Sequence, residues 1–224
     1  MARSPFRRPG AFDERYFRTN YRDYVAQNPP RRLRFYAQVV ERHLAGGAPR
    51  RIHDIGCAFG RFLGSLGPAW RIFGTDVSEF AVAEAARANP RGVFREAPAE
   101  ARKPFDEAFG VVTAFDVMEH VPDPDAVARS VIEQLADGGC FIFVVPVYDG
   151  LSGPLIRLLD RDPTHRHKWP RQRWLDWAES HFALVEWQGI LRYLLPGGYS
   201  LHLASRAFRG HTPAIIVVAR KRGD

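Results

Sequence analysis

The sequence predicts an α/β fold: a doubly wound, seven-stranded, mostly parallel sheet preceded by a small helical cap. Three observations carry this expectation. Apolar β-type runs alternate with helical patterns from residue 51 onward. A glycine loop, Gly56-Cys57-Ala58-Phe59-Gly60, follows the first of those runs. Phe141-Ile142-Phe143-Val144-Val145 is apolar at every position, as a strand covered on both faces must be. With 224 residues, 46% of them hydrophobic, the chain suits one domain with a buried core.

Taken in order, residues 1–11 are rich in Arg, Pro and Gly and are expected to form a disordered arm. Residues 12–47 are expected to form the helical cap, with one helix carrying Phe12, Tyr16, Phe17, Tyr21 and Tyr24. A second carries Leu33, Tyr36, Ala37, Val40 and Leu44 at helical spacing. Asn28-Pro29-Pro30 separates them and Gly46-Gly47 ends the second. The aromatics either cover a substrate or pack the helices on the sheet, the second being the simpler reading.

Residues 48–224 form the main domain, with strands expected at 51–55, 71–75, 92–95, 109–115, 140–145, 182–189 and 214–220. Helices are expected at 60–66, 79–88, 124–135 and 171–180, and Gly138-Gly139 turns the chain into the fifth strand. Two connections, 147–169 and 190–213, are long for this architecture, which marks them as functional. The first leaves from the carboxyl edge of the sheet, where ligands bind in such folds. The second is apolar and aromatic; core packing is the leading expectation, with an acceptor pocket, a membrane surface or a homodimer contact as alternatives.

Composition removes several classes of function. No apolar run reaches the ~18 residues of a membrane span, and the Arg-rich start lacks the apolar core of a secretory signal, so a cytoplasmic protein is expected. Cys57 and Cys140 form no C-x-x-C, and no His/Cys cluster has metal spacing; neither a disulfide nor a metal is expected, and His165-x-His167 with Asp160 and Asp162 is an incomplete metal set kept as an alternative. The net charge of +7 is uneven: residues 1–51 hold twelve Arg against Asp13, Glu14, Asp23 and Glu41, a net +8, leaving −1 for the remainder. That excess belongs to the arm and cap, and Arg outnumbers Lys 29 to 3 throughout, so the expected partner is not a nucleic acid.

The glycine loop narrows the ligand. A dinucleotide site needs a second glycine where the backbone meets the pyrophosphate, but this chain has Ala58 there and an acid, Asp54, at the leading edge. Negative charge repels a pyrophosphate and attracts an ammonium or a sulfonium. Asp76 ends the next strand 22 residues after Asp54, placed to accept two ribose hydroxyls, the leading reading, with a cap on the helix that follows as the alternative. A cationic nucleoside fits better than NAD, which sets a dehydrogenase aside.

Three motifs in this order, Asp54-x-Gly56-x-x-x-Gly60, Asp76, and Phe115-Asp116-Val117-Met118-Glu119-His120-Val121, make residues 50–146 resemble a class I S-adenosylmethionine-dependent methyltransferase of the small-molecule type, methyltransferase type 11/23-like. The resemblance implies a Rossmann-like sheet whose last strand is antiparallel and inserted between the fifth and sixth. It implies that S-adenosyl-L-methionine is the cofactor, leaving as S-adenosyl-L-homocysteine. The cofactor contacts it implies are Asp54, Gly56, Cys57, Gly60, Asp76, Val77, Ala99, Phe115 and Asp116.

Methyl transfer from a sulfonium is an in-line displacement that needs chiefly proximity and alignment. A hydroxyl acceptor also benefits from a base, and His120 has a suitable unperturbed pKa near 6.5. His165-x-His167, in the loop after the fifth strand, resembles a motif that points toward the acceptor in related O-methyltransferases, so His120, His165 and His167 are the candidate catalytic residues. The expected reaction is methylation of a small organic acceptor at a hydroxyl oxygen. The alternatives are an RNA methyltransferase using the basic arm and a catalytically silent cofactor-binding protein.

Overall fold

The computed structural model describes residues 28–150, 153–160, 162–195 and 199–223. The expected arm and first cap helix lie outside these residues. The second begins as helix α1 (Pro30–His43), whose proline at the first helical position needs no N–H partner and has its φ preset. Leu33, Tyr36, Val39 and Val40 bury one stripe of it.

The alternation continues as β1 (Arg51–Ile55), α2 (Arg61–Gly64), β2 (Arg71–Asp76), α3 (Glu79–Ala88), β3 (Val93–Glu96) and β4 (Phe109–Phe115). Then come α4 (Pro124–Gln134), β5 (Leu135–Pro146), α5 (Gly153–Leu159), α6 (Arg171–His181), β6 (Ala183–Leu195), β7 (Tyr199–Ser205) and β8 (Ala214–Arg220). Asp123 caps α4 by accepting from the Asp125 and Ala126 N–H groups, with Pro124 behind it.

The eight strands of the described residues form one sheet in the order β3-β2-β1-β4-β5-β8-β6-β7. The first five are mutually parallel, and β8 runs antiparallel between β5 and β6. The doubly wound class holds, with eight strands in place of the expected seven. Residues 190–213 account for the difference. Much of their described part is strand: β6 continues to Leu195, and β7 pairs with it antiparallel from Gly189 with Ser205 to Leu195 with Tyr199. A second departure is that β5 starts directly after α4, with a register shift between Phe109 and Val111 before Val111 pairs with Cys140.

Period-2 alternation divides the strands between two cores. Val112, Ala114, Phe141, Phe143, Val145, Ile215 and Val217 face α4 and α6, where Val127, Val131, Trp174 and Trp177 cover them. Val111, Cys140, Ile142, Val144, Ile216 and Val218 face α1, α2 and α3 through Tyr36, Val40, Leu63 and Ala85. Strand order reverses between β1 and β4, so the loops leaving their carboxyl ends diverge and open a crevice.

Candidate active site

Two groups of side chains line that edge of the sheet. The first lies on the glycine loop after β1. Gly56 (φ +70°) and Gly60 (φ +68°) take left-handed backbone that glycine adopts at little cost, and Ala58 between them is also left-handed at φ +45°. Space as well as torsion fixes Gly56: a Cβ there would lie 2.3 Å from Val117 Cγ2, so the loop after β1 rests directly on the turn after β4.

Asp54 is buried, and one oxygen accepts the Thr113 hydroxyl at 2.6 Å. No described residue hydrogen-bonds its other oxygen at the distances given for the first. Burial, with Asp76 close by, pushes the Asp54 carboxyl up to about 7. Asp76 accepts the Ala58 and Ser78 N–H groups at 3.0 Å each, and burial outweighs these bonds to raise it to about 6. The residue capping α3 is Ser78, which accepts from Ala81. Asp76 is therefore not the cap; it ties the glycine loop to the start of that helix.

The remaining expected cofactor contacts divide by exposure. Cys57 and Phe115 turn their side chains into the core, Phe115 stacking on Tyr36 with ring centroids 4.2 Å apart, so each can offer a ligand only its backbone. Val77 is exposed, and Ala99 packs at the margin of the α4–α6 core. Asp116, at φ +58°, is gripped by arginines from both sides: Arg32 of α1 reaches it at 2.6 Å and Arg192 of β6 at 2.6 Å. Burial favours its neutral form, yet the charges of Arg192 and Arg32 prevail and hold it near 2. Its side chain is thus committed to a clamp that joins α1 and the β6–β7 hairpin to the end of β4.

The second group surrounds Glu119-His120. The Arg166 and His167 N–H groups both donate to the Glu119 carbonyl, at 2.8 and 3.1 Å, docking the loop after β5 on this turn. That brings His120 and His165 together with ring centroids 4.7 Å apart. The hydrogen bonds define how each ring is held. Thr164 Oγ1 donates its one proton to Asp162 at 2.5 Å and must therefore accept from His120 Nδ1 at 2.9 Å, which leaves the lone pair of the neutral ring on Nε2. His165 Nδ1 likewise donates to Asp160 at 2.8 Å, an acid that also accepts from Tyr148 at 2.6 Å and pairs with Lys168 at 2.9 Å. Burial and the neighbouring His165 lower the His120 pKa, favouring the neutral ring.

His167 is not part of this pair. Its Nε2 donates to the Val121 carbonyl at 2.9 Å and its ring packs on Trp169, so it holds the loop down. Glu119 is 1% exposed and its Oε2 finds no hydrogen-bond partner among the described residues. Ligand atoms of Glu119, His120 and His165 all lie within 4.8 Å of one another.

A glycine loop flanked by two buried acids, Asp54 and Asp76, thus stands at the topological switch point, where open α/β sheets bind their ligands. The sequence matches the methyltransferase domain family over residues 25–187, and the chain belongs to that family. No curated protein sequence matches it.

Among solved structures it is similar to a Thermotoga maritima S-adenosylmethionine-dependent methyltransferase described as a possible histamine N-methyltransferase. The two are 16% identical over 93% of this chain and 99% of that one, with a TM-score of 0.67. It is also similar to a Haloferax volcanii protein seen in complex with the Trm112 methyltransferase activator (15% identity, 93% and 97% coverage, TM-score 0.69). A third is the N-methyltransferase NodS of Bradyrhizobium japonicum (18%, 85% and 96%, 0.58). These likenesses establish the shared fold. The protein is an S-adenosylmethionine-dependent methyltransferase.

The residues present suit that cofactor. An ammonium and a ribose diol both donate hydrogen bonds, and Asp54 and Asp76 offer acceptors on either side of a loop whose glycine at Gly56 brings it against the turn after β4. Sequence reading overlooked Arg32, Arg192 and Tyr148. Arg192 did leave a signal, a single charge inside the apolar run Ile190-Leu191-Arg192-Tyr193-Leu194-Leu195, which requires a buried partner.

Proposed function

We propose that this enzyme methylates a small organic acceptor at a hydroxyl oxygen, with the acceptor oxygen lying at the paired Nε2 edges of His120 and His165. The observation that carries the reading is the pairing itself: the ring centroids stand 4.7 Å apart, both rings have Nδ1 held through a carboxylate system, Asp162 by way of Thr164 and Asp160 directly, and the Nε2 atoms of His120 and His165 lie 4.0 Å from Glu119 and 3.9 Å from Asp162, respectively. S-Adenosylmethionine, when bound, supplies a methyl group on a sulfonium.

The chain's own residues do the rest. Asp54 accepts from the cofactor's amino group, Asp76 accepts from its ribose, and the backbone of Gly56, Cys57, Gly60 and Phe115 lines the path between them. The Arg32–Asp116–Arg192 clamp ties α1 and the β6–β7 hairpin to the end of β4. His167 acts through position, holding the loop that carries His165.

An acceptor panel with labelled cofactor tests this reading, followed by single His120→Ala, His165→Ala and His167→Ala substitutions. Turnover of a hydroxyl acceptor should fall in the first two with S-adenosylhomocysteine affinity retained. Exclusive turnover of amines, or full rate in both variants, would overturn it.

A further inference from the structure

We propose that Glu119, His120 and His165 bind a divalent first-row transition ion, of the Zn²⁺ or Mn²⁺ class, with an open coordination position toward the acceptor oxygen. This rests on the reading that the acceptor meets the His120–His165 edge, and it deepens it: the ion, rather than a bare imidazole, receives the oxygen.

The first support is convergence. Two imidazole nitrogens and a carboxylate oxygen lie within 4.8 Å of one another, and His120 Nε2 stands 4.0 Å from Glu119 Oε1. Ligand atoms around a tetrahedral ion at ~2.0–2.1 Å stand about 3.3 Å apart, so small side-chain rotations close the set.

The second support is the outer layer. A ligating histidine nearly always gives its other ring nitrogen to a carboxylate or carbonyl, which fixes the ring and raises its basicity. Both rings have this support, His165 from Asp160 at 2.8 Å and His120 from Thr164 at 2.9 Å with Asp162 behind it. Tyr148 and Lys168 in turn fix Asp160. A pair of histidines kept for core packing needs no such arrangement.

The third is the orphan oxygen. Glu119 Oε2 is enclosed with no hydrogen-bond partner among the described residues, a costly state for a carboxylate whose Oε1 faces His120, and one that a cation bound to the carboxylate relieves. Charge then selects the occupant of the open position. A divalent ion with one carboxylate and two neutral imidazoles keeps one positive charge, which an alkoxide or phenolate, its proton lost to solvent on binding, neutralises and an amine does not. Two nitrogens among three ligands disfavour Mg²⁺ and Ca²⁺, which take oxygen.

The experiment uses the full chain, stripped with a chelator, dialysed and titrated with Co²⁺ while both heat and visible absorption are followed. One equivalent should bind with a ligand-field band, Zn²⁺ should displace it, and Mg²⁺ should not. Glu119→Gln and His165→Asn should each weaken binding at least tenfold, and Asp160→Asn by about 10-fold or more through loss of the supporting hydrogen bond. S-Adenosylhomocysteine affinity, measured on the same samples, should be unchanged in all three, confirming that they are folded. Absence of binding at millimolar Co²⁺, or binding that both ligand variants leave intact, would overturn the site. Loss of the hydroxyl specificity alone, with Co²⁺ binding retained, would overturn the acceptor reading and leave the metal site standing.

Discussion

The buried acids of the glycine loop make a quantitative prediction about pH. Asp54 and Asp76 sit at about 7 and about 6 because burial disfavours their charge, and each must be ionised to accept from a cationic nucleoside. The sign follows from proton counts. In the free enzyme the native carboxyls hold protons that the unfolded chain has already lost. Their contribution to stability is therefore complete below the ordinary carboxylate pKa and is lost as pH rises through 6 to 7. Cofactor binding reverses the preference, so protons are released on binding and affinity rises with pH.

Between pH 6 and pH 8 ionisation of Asp54 contributes about tenfold and that of Asp76 about twofold, together about 20-fold or ~1.8 kcal/mol. The assay is calorimetry with S-adenosylhomocysteine in buffers of differing ionisation enthalpy, which reads affinity and proton release in one experiment. Asp54→Asn should reduce the pH dependence to about twofold and lower affinity at pH 8 by about 1.5–3 kcal/mol, the worth of a charged hydrogen bond. It should also stabilise the free protein at pH 8 by up to about 4 kcal/mol, the cost of holding Asp54 ionised while buried. An affinity flat from pH 6 to 8, or a slope undiminished in Asp54→Asn, would refute the assignment of these acids to the cofactor.

Two further substitutions probe the frame. Gly56→Ala places a methyl 2.3 Å from Val117 Cγ2 on left-handed backbone, and should cost about 2–4 kcal/mol in urea unfolding together with most cofactor affinity. Arg192→Ala leaves the largely buried Asp116 with Arg32 alone, and should destabilise the protein by about 2 kcal/mol in the same assay and expose the β6–β7 hairpin to limited proteolysis.

Legibility of the site depended on whether the chemistry was local. Asp54, Gly56 and Gly60 declare themselves because a tight loop after a strand needs glycine, and because an acid beside it changes which ligand can approach. Asp76 is found by counting one loop, helix and strand. Its alternative reading as a cap fails only in three dimensions, where Ser78 takes that role. His53 shows the converse. Read alone it is another histidine near the loop, but in the fold it donates to Gln134 at 2.7 Å and accepts from Thr75 at 2.9 Å, a fully satisfied core residue whose pKa burial lowers to about 4. The hairpin of β6 and β7 was hidden for another reason: one long apolar segment fits a pocket lining and a strand pair equally well until β8 supplies the edge on which β6 pairs.

Sequence alone determined the doubly wound class and the approximate placement of its strands between residues 51 and 146, since periodicity and turn chemistry act over a few residues and survive without tertiary context; the donor of the reaction followed from the resemblance carried by three motifs in order. Tertiary structure decided what lies 45 or more residues apart in the chain. It set Arg32 and Arg192 on Asp116, and it set His165 beside His120 while turning His167 away to Val121. Those contacts arise where a loop, a cap helix and an inserted hairpin converge on the carboxyl edge of β4. No local pattern encodes that convergence, because it depends on how the strands are ordered in the sheet.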